Sequence, residues 1–287
     1  MQSPMNISRT KGAAAFLLLG LAAVVALHGT AAAEEPPAPS DELTAVSSKV
    51  FHGYKRATLP DGSLRPEHYG LGIGGFMTRY PGVLEQSDAD FTRDDTVDNI
   101  TFAALAKMIE GPLATEKYLP TGEPRLADLL IVIFWGRTIG TNAFAGSQIK
   151  SILYGPDQDK IDSGNAELLG FDSEGMFGDG FGNSIRSNIL KEVHSGVIDA
   201  VKDDRYFVIL QAYDFSAAWK GKKVRLLWET RFSLSQRRHD FGKDLPRMAQ
   251  VAAQYFGQDS HGLVQKPIPA GHVAVGPVKS LGPVPGK

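Results

Sequence analysis

The amino-acid sequence predicts an α+β fold in which a mixed β-sheet is packed by about three helices. Two continuous apolar segments, ADLLIVIFWG and RYFVILQAYDF, are rich in β-branched and aromatic residues, as buried strands are. Amphipathic segments with a helical period precede and follow them. The predicted order is therefore β-β-α-β, an irregular segment, and then α-β-β-α.

The N-terminus predicts an exported protein. Arg9 and Lys11 precede the apolar run AAAFLLLGLAAVVAL, which is shorter than the ~20 residues of a membrane span. Ala31 and Ala33 supply the small side chains that a signal peptidase requires, so residues 1–33 are interpreted as a signal peptide cleaved after Ala33. A retained N-terminal anchor is the alternative. The predicted location after cleavage is the periplasm or the medium.

Composition predicts how the remaining chain is divided. Prolines mark residues 34–48 as a linker, residues 49–257 are expected to form a single α+β domain, and residues 258–287 carry five prolines and five glycines. This last segment is interpreted as an extended tail. The alternatives for it are a disordered end and a clamp that lies across the domain or reaches a partner.

Charge and cysteine content exclude several functional classes. The chain has no cysteine, so disulfides, thiolate catalysis, cysteine-bound zinc and a lipidated cysteine are all excluded. The formal net charge is −2, and removal of Arg9 and Lys11 with the signal makes it about −4. This balance predicts no nucleic-acid partner. A cleaved signal also predicts no stable membrane insertion.

The first well-defined strand is the glycine-rich segment YGLGIGGF, Tyr69 to Phe76. It contains the spacing G-x-G-x-x-G of dinucleotide-binding loops, but that loop requires a strand before it and a helix after it. Prolines interrupt both flanks here. The period of two instead places Gly70, Gly72 and Gly74 on one face, where a helix or an aromatic ring can approach the backbone.

The helices and the hairpin follow from periodicity. Residues 96–111, TVDNITFAALAKMIEG, predict one amphipathic helix that Gly111-Pro112 stops. A second helix is predicted over 183–204, and a third over DLPRMAQVAAQYFG with Asp244 as its cap. Between them, RYFVILQAYDF and VRLLWETRF are expected to form a hairpin whose turn is AWKGKK.

Two of these segments carry a resemblance. The run ADLLIVIFWG after a helix, and the strand LLWETRFSL before the closing helix, resemble uncharacterised bacterial envelope proteins, many of them lipoprotein-like, whose strands read ADLLV and LVWRG. The resemblance covers about a third of the chain. It implies an α+β envelope domain and no particular chemistry.

One candidate ligand site lies where the strand ADLLIVIFW ends. Trp135 is positioned to stack on a ligand, and Arg137 to pair with an anion, because ligands bind at the carboxyl ends of strands in many sheets. The glycine-rich segment FGDGFGNS opens the predicted long helix and offers free amides to the same anion. The predicted ligand is a small anionic or glycan molecule, and the site residues are Trp135, Arg137, Asn142, Gly180 and Asn183. The alternative is a buried Trp135 beside a flexible glycine loop.

A candidate calcium site lies in PDQDKIDSGNAE. Asp157, Asp159, Asp162 and Glu167 provide the hard oxygen ligands that calcium prefers, although the register does not fit an EF-hand loop. A solvated acidic turn is the alternative.

Three functional classes remain open for this protein. No established catalytic motif is present, so a non-enzymatic binding or interaction domain without a cofactor, acting on an envelope protein or small ligand, is the first expectation. A hydrolase that uses Asp179, Asp214 or Glu229 on an envelope or phosphorylated substrate is the second. The third is a scaffold that acts through the tail.

Overall fold

A computed structural model describes residues 42–78, 94–144, 158–171, 197–221 and 223–269 of the chain. Its strands are β1 (Leu43–Val50), β2 (Glu67–Thr78), β3 (Tyr118–Pro120), β4 (Leu129–Arg137), β5 (Arg205–Asp214), β6 (Leu226–Ser235) and β7 (Leu263–Pro267). They form one sheet in the order β3-β2-β4-β5-β6-β1-β7. β2 runs parallel to β3 and β4, and the other neighbours are antiparallel. The mixed sheet confirms the predicted α+β class.

Helices cover both faces of this sheet. They are α1 (Asp95–Asp98), α2 (Phe102–Thr115), α3 (Gln158–Leu169), α4 (Phe215–Gly221) and α5 (Phe241–Ala253), and residues 197–202 are also helical. Ile109 of α2 and Met248 of α5 belong to the larger buried cluster, on one face. Leu169 of α3 and Val201 pack against Phe207 on the other face. Side chains of alternating direction along β5 thus enter two separate cores.

The middle of the sheet agrees with the prediction from apolar runs. Leu129, Ile131 and Ile133 of β4 are buried, and β5 is the fourth of the seven strands. β5 and β6 pair as the predicted hairpin. Their connection is not a simple turn, because it contains α4.

The sheet extends beyond both predicted domain boundaries. β1 begins at Leu43, inside the segment interpreted as a linker, and β7 lies inside the segment interpreted as a tail. The apolar pattern of β1 is interrupted by serines, yet Ser48 is buried, and its hydroxyl contacts Thr230 Oγ1 at 2.7 Å and donates to the carbonyl oxygen of Tyr255 at 2.9 Å. Hydrogen bonding removes the cost of burying these hydroxyl groups, so a polar sequence forms an interior strand.

The first predicted helix differs from the observed structure in two ways: it is divided into two helices, and the second of them ends later than predicted. Thr101 accepts a hydrogen bond from the Ala104 amide at 3.2 Å and starts α2, so the predicted single helix is two helices. α2 also continues through Pro112 to Thr115, although Gly111-Pro112 was expected to stop it. Pro112 and Leu113 are buried, so packing outweighs the local cost of the proline.

Two further helix predictions need correction. The cap of α5 is Asp240, which accepts from the Lys243 amide at 3.0 Å, while Asp244 lies in the first turn. The segment expected to be irregular contains α3. Its residues QDKIDSGNAELL have weak helical propensity, but Ala166, Leu168 and Leu169 are buried, so tertiary packing determines the helix.

The glycines of β2 have the role that the period of two predicts. A Cβ atom at Gly74 would lie 2.5 Å from the ring of Phe134 on β4, which occupies the space that the glycine leaves. Gly75 has a φ of 116° at a register shift between Ile73 and Gly75, where only glycine is unstrained. No helix follows these glycines directly, because β2 continues to Thr78.

Candidate functional site

The predicted site residue Arg137 is buried, and it lies in a polar cluster at the end of β4. It faces Tyr206 across the β4–β5 pair, and its Nη2 atom donates to Asp98 Oδ2 at 3.2 Å. Tyr206 donates a short hydrogen bond to Asp94, whose Oδ1 accepts from the Thr96 hydroxyl at 2.7 Å. We call Asp94, Thr96, Asp98, Arg137 and Tyr206 the Arg137 cluster. It ties α1 to the centre of the sheet.

Electrostatics in the Arg137 cluster favour internal pairing. Burial alone raises the pKa of Asp94, but hydrogen bonds from Tyr206 and Thr96, helped by the charge of Arg137, outweigh burial, so this pKa lies below its ordinary value. Burial, then the hydrogen bond to Asp94, raises the pKa of Tyr206. The cluster contains two carboxylates and one guanidinium. Its net negative charge opposes an anion, and its arrangement suits a structural role.

Trp135 is enclosed by other aromatic side chains. It is 7% exposed, and its ring centroid lies 6.4 Å from Phe76 and 6.5 Å from Phe102. Its indole Nε1 is buried and has no hydrogen-bond partner within the described part of the chain, as is also true of Arg137 Nε. The indole face is thus used in packing rather than presented to solvent.

Of the other three residues of the predicted ligand site, the structure describes only Asn142. Asn142 is exposed in a 3-10 helix at Thr141–Phe144. Gly180 and Asn183 lie outside the described residues. The hypothesis of an anion or glycan site on these five residues therefore stays a prediction, with Arg137 already paired to Asp98.

The predicted calcium ligands lie on a helix rather than a turn where they are described. Asp162 and Glu167 both belong to α3; Asp162 is buried and accepts from the Thr141 hydroxyl at 2.9 Å, whereas Glu167 is exposed. Asp159 lies in the first turn of α3, and Asp157 is outside the described residues. The described ranges contain no group of three or more His, Asp or Glu that would hold a metal ion. Calcium binding by the complete set stays a prediction.

The carboxylates proposed for hydrolysis have other partners. Asp214 Oδ1 accepts from the Ala217 amide at 2.9 Å and so caps α4. Glu229 accepts from Arg231 at 2.7 Å and from Gln211 at 2.6 Å. Asp179 lies outside the described residues. Asp214 and Glu229 are therefore held in structural contacts, and no observation favours hydrolysis over binding.

An exposed aromatic surface lies at the opposite end of β5. α4 has no buried residue; Trp219 is 67% exposed, and its ring stacks on Phe215 with centroids 5.7 Å apart and planes at 17°. Val224 is exposed after α4, beside Lys220, Lys223 and Arg225. We call these six residues the α4 surface.

Sequence reasoning missed the α4 surface because AWKGKK was interpreted only as a hairpin turn. The signal that was available is a tryptophan in a segment otherwise rich in lysine and glycine, since such a side chain has no reason to lie in a two-stranded turn. The helix itself is short, and Asp214 starts it from the end of β5. Such capping is visible only when the end of the strand is known.

Among the described helices, none combines the length and the apolar character that crossing a bilayer requires. The sequence matches no family model, and a search of curated proteins finds no relative.

Among solved structures, the chain is similar to a PDZ domain protein from Parabacteroides distasonis, with 12% identity and a TM-score of 0.36, over 78% of this chain and 38% of that one. It thus spans well under half the length of that protein. It is also similar to a DUF4136 family protein from Bacteroides thetaiotaomicron, with 11% identity and a TM-score of 0.29, over 74% of this chain and 92% of that one. These distant likenesses carry no functional argument, and no characterised family is found.

Proposed function

We propose that the protein is an exported, non-enzymatic binding protein of the bacterial envelope, and that it contacts its partner through the α4 surface. One observation supports this proposal above the others: Trp219 is 67% exposed on a helix without a buried residue. Burial of a large apolar side chain contributes about 1.5–3 kcal/mol. Trp219 would gain this contribution only when a partner covers it.

The chemistry of the α4 surface fits recognition. Tryptophan and arginine are enriched among the residues that dominate binding free energy at interfaces. The stacked pair of Phe215 and Trp219 offers a rigid apolar contact, and Lys220, Lys223 and Arg225 surround it with charge. An apolar centre with a charged rim is the usual composition of a binding surface.

Export remains part of the proposal. The signal peptide at residues 1–33, with cleavage after Ala33, places the domain in the periplasm or the medium. N-terminal sequencing of the protein recovered from the envelope fraction is expected to begin at Glu34. A chain that retains Met1 would support the membrane anchor instead.

Site-specific photo-crosslinking tests the binding role of the α4 surface. Benzoylphenylalanine replaces Trp219 in cells that export the protein, and the matched control carries it at Lys107, an exposed position on α2. We expect an adduct with a protein or a lipid from position 219 and none from position 107. Equal yields at both positions, or no adduct at 219, would contradict the proposal.

A further inference from the structure

The α4 surface is basic in a chain whose net charge is negative. Between Asp214 and Glu229 the sequence has four basic residues and no acidic residue, whereas the whole chain has a formal net charge of −2. Lys220, Lys223 and Arg225 of this segment are exposed. Positive charge is therefore concentrated next to the exposed tryptophan.

Neighbouring acidic groups do not neutralise this charge. Asp214 is bonded to the Ala217 amide, and Glu229 is paired with Arg231. Within the described residues, the Arg225 side chain donates to the carbonyl oxygen of His52, at 3.5 Å, and forms no ion pair. Across the described ranges, no carboxylate forms an ion pair with Lys220 or Lys223.

We infer that the α4 surface docks on an anionic lipid bilayer, with Trp219 in the interface and the basic side chains on lipid headgroups. This inference rests on the proposed function and specifies its partner. Tryptophan prefers the membrane interface because its ring is apolar and its N–H is polar. Lysine and arginine near an anionic surface each strengthen binding about fivefold. Together they give reversible attachment of a folded domain, without a membrane-spanning segment.

The arrangement favours a bilayer over a protein partner. The apolar contribution comes from a short helix without a buried residue, and the charged residues of the α4 surface all have one sign. A flat anionic surface complements both features at once, whereas a protein partner would need an acidic rim around an apolar pocket. A protein partner is accordingly one outcome of the test.

Tryptophan fluorescence reports on this surface selectively. The chain has three tryptophans; Trp135 is 7% exposed and Trp228 is 0% exposed, so Trp219 is the accessible one. The protein recovered from the envelope fraction is mixed with vesicles of phosphatidylcholine, with and without about a third of phosphatidylglycerol, in which the acyl chains are brominated. Bromine quenches an indole only at short range, so binding elsewhere on the chain does not mimic the signal.

We expect quenching and a blue shift with anionic vesicles, weaker binding in high salt, and neither effect with pure phosphatidylcholine. Trp219→Ala is expected to abolish the change. The double charge reversal Lys220→Glu with Lys223→Glu is expected to weaken binding at least tenfold. The matched control, Lys107→Glu with Lys266→Glu, changes the net charge equally at exposed positions elsewhere and is expected to bind as the unmodified protein does.

Two results would overturn the inference. One is the absence of quenching of Trp219 by anionic vesicles, and the other is equal binding by the Lys220/Lys223 variant and the Lys107/Lys266 control. If Trp219 gives no quenching but position 219 crosslinks to a protein in cells, the lipid inference fails while the proposed binding function stands. If position 219 yields neither quenching nor an adduct, both fail.

Discussion

The Arg137 cluster and the α4 surface lie at opposite ends of the β4–β5 pair and use their side chains in opposite ways. In the Arg137 cluster, Arg137 and Tyr206 are buried, and they donate hydrogen bonds to half-buried carboxylates. On the α4 surface, an aromatic side chain and several cations are exposed. Trp135 and Arg137, the two residues of the predicted ligand site that lie on β4, make contacts within the fold. The exposed residues of the α4 surface lie in a segment that the sequence predicts to be a turn.

Removal of Arg137 should have the largest effect. Arg137→Ala leaves the carboxylate of Asp98, which is 21% exposed, without its cation, and the loss of this charged partner is expected to lower the free energy of unfolding by about 3 kcal/mol. Urea denaturation at neutral pH measures this change in the free energy of unfolding. The matched control is Arg225→Ala, because Arg225 is exposed at the other end of the β4–β5 pair, and its expected change is within about 0.5 kcal/mol. Unchanged stability in Arg137→Ala, together with loss of binding to an anionic ligand, would restore the predicted anion site.

The packing between β2 and β4 gives a second test. Gly74→Ala is expected to destabilise the protein by about 1–3 kcal/mol, because its Cβ atom would overlap the Phe134 ring. Gly70→Ala is the control on the same strand, since nothing lies within 4 Å of a Cβ atom there. Equal unfolding free energies for the two variants would show that the Phe134 ring moves freely.

Acid should weaken the Arg137 cluster through Asp94. Because the folded-state pKa of Asp94 is lowered from 3.8, its ionisation stabilises the fold above that pH, and the contribution is lost as pH falls through the folded-state value. Tyr206→Phe removes a hydrogen bond to this carboxylate and is expected to cost about 1.5 kcal/mol at pH 7 and less in acid. Tyr213→Phe, which removes a bond to the neutral Gln211, should show no such pH dependence. A cost that does not decrease as the pH is lowered below 3.8 would contradict this assignment.

The α4 surface should give the smallest change in stability. Trp219→Ala is expected to alter the free energy of unfolding by at most about 0.5 kcal/mol, because the side chain is exposed. The same variant is expected to lose its membrane partner. Thermal and urea unfolding check the first part. A loss of several kcal/mol would mean that Trp219 is a structural residue and would weaken the comparison.

The sequence predicts those parts of the molecule where pattern and packing agree. The apolar runs at Leu129 and Val208 are interior strands, and the glycines before Gly75 form a pleated strand with an aromatic ring above it. It fails where tertiary contacts reverse local preference. The strand β1 is not recognised from its sequence because its serines are polar, although their hydroxyl groups are hydrogen-bonded in the interior. The helix α3 forms from mostly polar residues because its few apolar side chains enter a core.

The candidate site was harder to predict than the fold. The sequence suggests Arg137 as a residue that pairs with an anion at the end of a strand, but its partner Asp98 lies 39 residues away in the chain, and no local pattern connects the two. The exposure of Trp219 depends on a helix that begins where β5 ends. The pairing of Arg137 with Asp98 and the exposure of Trp219 both depend on tertiary structure, which the periodicity of a sequence does not predict.

Labelling of single cysteines tests most directly which end of the molecule meets a partner. The natural chain has no cysteine, so Trp219→Cys and Asn142→Cys each introduce one exposed thiol, the first on the α4 surface and the second in the site predicted from the sequence. With a maleimide, both variants should react rapidly when purified. In the intact envelope, the account predicts protection at 219 and full reactivity at 142. Protection at 142 with full reactivity at 219 would contradict it.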